Sequence, residues 1–199
     1  MDEDIKREIY EFVNYFKKGE VEVYNEYSLQ FEIGWFLKSR LGSKYKVQVE
    51  KKVRETQLAK SMGIDKKSLI KSRMDIYIWN TATREQLAIE LKFPRAGQVP
   101  IQIYQFFKDV KFLEQLKDHY GFSRGYSVVF VDDKNFYEGE ELSEPVYEYF
   151  RTKKVLPGFT TISIPVGMKK GDGRFSLTKD YPIEWKDIND RMKYYILEV

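Results

Sequence analysis

The run Tyr126-Ser-Val-Val-Phe-Val131 is nearly continuous in apolar character. A strand of that kind has no wet face, so it belongs inside a sheet covered on both sides. Two segments before it fit the same picture. Pro100 to His119 carries Ile103, Phe106, Phe107, Val110, Leu113 and Leu116 at helical spacing. Gln86 to Phe93 reads as a further strand, stopped by Pro94. A sheet flanked by helices follows.

The rest of the chain extends that plan. Asp4 to Lys18 has a helical period in Ile5, Ile9, Phe12, Val13 and Phe16, with Gly19 as its stop. Asn25 to Leu41 is a second helix, capped by Asn25, with Leu29, Ile33, Phe36 and Leu37 inward. Tyr45 to Val53 alternates like a strand with one wet face, and Met74 to Trp79 is a short strand. Glu55 to Ser72 is polar and basic, a loop or short helix between them. A short helix is expected over Glu144–Thr152, strands over Phe159–Val166 and Tyr194–Val199, and a loop over Gly167–Gly173. The reading is an α/β domain with a mixed central sheet. One domain spans 1–199, with a core over about 25–132 and a β-rich C-terminal extension over 133–199.

Residue inventory narrows the chemistry. The 199 residues include no cysteine and one histidine, His119. Thiolate catalysis, disulfides and cysteine metal sites are excluded, and so is any site with several histidines. Carboxylates, lysines, arginines and tyrosines remain, and carboxylates favour hard cations such as Mg²⁺ or Mn²⁺. No run of about 18 apolar residues is present, so no membrane span is expected. The acidic start Met1-Asp2-Glu3-Asp4 is unlike a signal peptide, which makes a cytoplasmic location the expectation.

Charge is uneven. The net charge is +3, but Lys38 to Arg73 holds twelve basic residues against three acidic ones, leaving the remainder net acidic. Lys44, Lys51, Lys52, Arg54, Lys66, Lys67, Lys71 and Arg73 are the candidate contacts to a polyanion backbone. A solvated lysine-rich surface is the plainer alternative.

Glu90 and Lys92 are two residues apart in a strand and share a face. A hairpin centred between Ala82 and Thr83 sets Asp75 directly opposite Glu90, roughly 4.5–5.5 Å away at Cβ. Carboxylates so placed repel unless a cation joins them. Acidic-x-Lys occurs seven times in this chain, and only Glu90 lies in an apolar strand that pairs back to an Asp-bearing one. An exposed cross-strand charge cluster is the alternative.

Asp75, with Glu90-Leu91-Lys92 after fourteen intervening residues, resembles the motif of the PD-(D/E)XK nuclease superfamily. The order helix, strand, hairpin, helix, strand is similar too, over roughly residues 25–132. Met74 stands where that family often has proline. The resemblance implies a restriction-endonuclease-like fold and a Mg²⁺- (or Mn²⁺-) dependent phosphodiesterase, an endo- or exonuclease acting on DNA. Asp75, Glu90 and the Leu91 carbonyl would hold the metal, and Lys92 would stabilise developing charge. Glu26, on the inward helical face, or Glu32, at its edge, would add an acidic group. Gln102 and Gln105 match accessory polar positions. Cutting both strands of a duplex would favour a homodimer. The rival readings are a non-catalytic nucleic-acid-binding or assembly protein that keeps the fold, and an interaction domain docking through its tail.

Overall fold

The computed structural model describes residues 2–56, 69–95, 97, 99–139, 146–163 and 173–199. Helices α1 (Asp2–Lys17) and α2 (Glu26–Arg40) lead into strand β1 (Tyr45–Lys52). Strands β2 (Arg73–Asn80) and β3 (Gln86–Lys92) form a hairpin, followed by helix α3 (Val99–Tyr120) and strand β4 (Arg124–Val131). Helix α4 (Val146–Arg151) comes next, then the short strands β5 (Val155–Leu156), β6 (Tyr181–Pro182) and β7 (Lys186–Asp187). Strand β8 (Lys193–Glu198) closes the chain.

Six strands form a mixed sheet in the order β1-β2-β3-β4-β8-β7, while β5 and β6 pair separately. Within the sheet only β3 and β4 run parallel. The α3 crossover makes that possible, because parallel neighbours need a connection of a dozen residues or more. The last strand, β8, pairs antiparallel with β4, so the C-terminal region returns into the central sheet.

The sheet is covered on both faces. Ile76, Ile78, Leu87, Ile89, Leu91, Tyr126, Val128 and Phe130 meet α1 and α2 through Ile5, Ile9, Phe12, Leu29, Ile33 and Leu37. On the other face Tyr77, Ala88, Val129, Val131 and Tyr195 meet α3 and α4 through Ile103, Phe106, Phe107, Val110 and Phe150. This burial is the reason β4 is apolar from Val128 to Val131.

Local chemistry sets the boundaries. The Asn25 side chain accepts from Ser28 N at 2.8 Å, and Ser28 Oγ accepts from Asn25 N at 3.0 Å, a reciprocal cap on α2. Gly34 lets α2 lie close on β1: a Cβ there would stand 2.9 Å from Val49 Cγ1. At the hairpin, Asn80 Oδ1 accepts from Ala82 N and Thr83 N. The pairing runs from Ile76 opposite Ile89 to Trp79 opposite Gln86, the register expected from a turn at Ala82–Thr83.

The expected strand from Phe159 is absent among the described residues. Phe159 has φ +56 and is 84% exposed, and Ile162 makes only an isolated bridge to Phe175. The left-handed backbone at Phe159 breaks the start of that extended run. Residues 164–166 of that expectation lie outside the described residues, as do residues 167–172 of the expected loop. The start of the expected helix at Glu144 and most of the Glu55–Ser72 connection lie outside them as well. No helix among the described residues is long and apolar enough to cross a membrane.

Candidate active site

The hairpin register, continued one residue beyond Ile76 and Ile89, sets Asp75 opposite Glu90. Both side chains lie on the α3 face of the sheet, with Lys92 beside Glu90. Glu90 is 1% exposed, and Asp75 is half-buried. Asp75 Oδ2 accepts the Leu91 N–H at 2.7 Å, which fixes that carboxylate against β3.

Two further residues complete the cluster. Asp109, on the inner side of α3 and 2% exposed, faces Lys92 Nζ at 3.1 Å through Oδ2. Lys71, just before β2, donates to Asp109 Oδ1 at 2.7 Å and also to Glu90 Oε2. Lys92 donates in addition to the Leu91 carbonyl at 2.8 Å and to Glu26 Oε1 at 3.3 Å. Glu26 Oε2 accepts from Phe93 N at 3.3 Å. The N-terminal end of α2 thus touches the end of β3.

The electrostatics follow from burial. Desolvation pushes the Glu90 carboxyl well above its ordinary value, Asp75 adds to the rise, and Lys71 offsets it only in part. Asp109 is as deeply buried, but Lys92 and Lys71 outweigh the desolvation and hold it below the usual range. Burial also raises Asp75, against the pull of Lys71 and Lys92. For the lysines burial disfavours charge. Glu90, Asp109 and Asp75 overcome that at Lys71, and Asp109, Glu26 and Asp75 overcome it at Lys92, so both ammoniums sit above their ordinary range. Burial and charge together thus favour the anion at Asp109 and the ammonium at Lys71 and Lys92, and favour the protonated form at Glu90 more than at an ordinary carboxyl.

Asp75, Glu90 and Asp109 surround the two ammoniums, and Glu26 reaches Lys92 from the α2 side. Glu90 Oε1 is buried with no hydrogen-bond partner. Such an atom calls for a further cation or donor. Among the described residues no three acidic or imidazole groups gather as a ready-made metal cage. Asp75 and Glu90 alone still meet the usual protein share of a Mg²⁺ shell, one or two carboxylates with waters completing it. Lys71 already holds Glu90 Oε2. An ion would therefore take the free Oε1 or displace that ammonium. The Leu91 carbonyl is engaged by Lys92, which weakens its case as a ligand.

The other expected residues divide. Glu32 is half-buried, and no hydrogen bond joins it to the cluster among the described residues. Its neighbour Gln30 is the α2 residue that reaches this strand, donating to the Asp75 carbonyl at 2.9 Å and to Glu50 Oε1 at 3.0 Å. Gln102 and Gln105 are half-buried, two turns and one turn before Asp109 on α3. Lys44 and Arg54 are exposed, Lys51 and Lys52 half-exposed, and Lys66 and Lys67 lie outside the described residues. Arg73 is exposed and pairs with Glu50 at 3.1 Å. Lys71 is a correction: a basic residue expected on the backbone-contact surface instead points inward, because two buried carboxylates require its charge.

Asp109 was not singled out from the sequence, although a signal exists. It stands three residues after Phe106 and three before Phe112, inside the apolar stripe of α3. Compared with models of known protein families, with curated proteins and with solved structures, the chain matches none.

Proposed function

We propose that the protein is a metal-dependent nuclease of restriction-endonuclease-like fold that hydrolyses phosphodiester bonds of DNA. The observation that carries this reading is the meeting of Asp75, Glu90 and Lys92 on one covered face of the sheet, with a buried Glu90 oxygen left unpaired. Asp75 and Glu90 would hold Mg²⁺ or Mn²⁺. When bound, the ion would polarise a phosphoryl oxygen and acidify a water.

The side chains divide the remaining work. Lys92 is held charged by Asp109 and Glu26, so it acts as an electrostatic stabiliser of phosphoryl oxygen charge and not as a base. Asp109 positions that ammonium from below. Glu90 would serve as a metal ligand through Oε1, the buried oxygen that has no hydrogen-bond partner. Lys44, Lys51, Lys52, Arg54 and Arg73 form the basic margin on β1 and its flanks that would meet the nucleic-acid backbone.

A second reading has its own support. Lys71 fills the space between Glu90 and Asp109 with a cation the chain supplies itself. A cluster balanced in that way suits a non-catalytic nucleic-acid-binding or assembly protein that keeps the fold. Incubation with plasmid and single-stranded DNA, in Mg²⁺, Mn²⁺ or EDTA, beside Lys92→Ala, separates the two. Metal-dependent nicking absent from the variant supports the nuclease. Tight binding without cleavage supports the second reading.

A further inference from the structure

Helix α2 is apolar on two sides. Its inner side, Leu29, Ile33, Phe36 and Leu37, is buried on the sheet and α1. Its outer side carries Tyr27, Phe31 and Trp35 at four-residue steps, 81%, 66% and 64% exposed, with Tyr24 just before the helix at 67%. Val49 of β1, also exposed, flanks this stripe where α2 lies closest to the sheet, at Gly34. A helix with apolar residues all round is ordinarily covered all round. Aromatic side chains present roughly 150–250 Å² each. Four of them, about two-thirds exposed, offer on the order of 500 Å². That reaches the upper range for the largest patch on a monomer, and Val49 extends it.

We infer that this stripe binds a second copy of the chain, α2 against α2, antiparallel about a two-fold axis at Phe31. The spacing is self-complementary: Tyr27 and Trp35 lie one turn either side of Phe31, so each meets the other across the axis. Charge is complementary in the same arrangement. The approach to α2 carries exposed Glu20 and Glu22, and its last turn carries exposed Lys38. Antiparallel pairing sets Lys38 over the partner's acidic approach and opposes the two helix dipoles. A nucleic-acid strand stacked on these rings would instead need a cationic margin. Exposed Glu20 and Glu22 supply the opposite sign beside Tyr24. The inference does not depend on nuclease activity.

Sedimentation velocity of the full chain over a concentration series, without nucleic acid, tests it. The expected species has twice the mass of the 23.8 kDa chain. Phe31→Glu sets two carboxylates face to face at the axis and should weaken the dimer by about a hundredfold, whereas Phe159→Glu, at the other exposed ring, should not. Lys38→Glu should weaken it a few-fold, and adding Glu22→Lys should restore it. This pair reports even if Phe31→Glu fails to fold. A monomer up to the solubility limit, or a dimer indifferent to both Phe31→Glu and the charge pair, overturns the inference. A monomer that binds oligonucleotides and loses them on Phe31→Glu overturns it in favour of base stacking.

Discussion

Both faces of the central sheet are packed with apolar side chains, and the face under α3 carries a buried charged cluster as well. Against α1 and α2, β2 and β3 present Ile76, Ile78, Leu87, Ile89 and Leu91, and the layer is held by apolar burial. Against α3, the same two strands present Tyr77 and Ala88 together with Asp75, Glu90 and Lys92, and the helix answers with Asp109 beside Phe106, Phe107 and Val110. Period-two alternation lets one hairpin carry both programmes, since each residue's neighbours in sequence point the other way. The apolar face tolerates changes of shape at modest cost. The charged face is less forgiving, because removal of one partner strands the others away from water.

The largest contrast should appear in catalysis. Glu90→Gln and Lys92→Ala are each expected to lower metal-dependent cleavage by at least about a hundredfold, while Ile89→Val, one residue away on the other face, leaves it unchanged. Initial rates on supercoiled plasmid measure this. If Ile89→Val falls as far as Lys92→Ala, the two faces are not functionally separate.

Stability comes next. Lys71→Ala uncovers two buried carboxylates and should cost roughly 3 kcal/mol, the lower end for a broken buried pair, because part of the side chain reaches solvent. Ile89→Ala should cost a similar 2–5 kcal/mol or so by leaving a cavity. Urea unfolding across pH tells them apart. A lysine held above its ordinary value stabilises the fold fully below about 10.5 and loses that contribution as pH rises through its folded value. Wild type should therefore weaken in alkali through Lys71 and Lys92. Lys71→Ala should lose part of that dependence, and Ile89→Ala should keep it all.

Smaller still, Asn25→Ala removes the cap from α2 and should cost about 1 kcal/mol without touching the charged cluster. The smallest effect is a gain. The Glu90 carboxyl is raised in the fold, so its ionisation costs nothing below the ordinary value of 4.5 and costs progressively more as pH climbs. Glu90→Gln should melt slightly above wild type at pH 8, with the difference vanishing near pH 4. A Glu90→Gln variant less stable than wild type at pH 8 would mean that the Lys71 pairing dominates.

What could be read from the sequence was what is locally encoded. Asn25 announces its helix through its own side chain. Asn80 to Arg84 announces a turn, and that turn fixes which residues face each other down the hairpin, Asp75 and Glu90 included. Asp109 and Lys71 were harder, because their environment is supplied from elsewhere in the chain. Asp109 has lysines nearby in sequence, at 108 and 111, and only its place in the apolar stripe of α3 marks it as inward. Lys71 sits in a basic stretch with no period, and only the buried carboxylates explain why it turns inward. Phe159 failed for a different reason: the Phe159–Val166 run was expected as a strand, but the backbone at its first residue is left-handed.

One interruption in the sheet has a mechanical consequence. Strand β1 pairs with β2 on either side of Glu50, but at Glu50 itself the backbone turns to φ +53 and the ladder skips the Glu50–Asp75 step. The Asp75 carbonyl is served there by the amide of Gln30 on α2. Helix α2, which carries the outer aromatic rings, thus holds the backbone of the first acidic residue where the neighbouring strand does not.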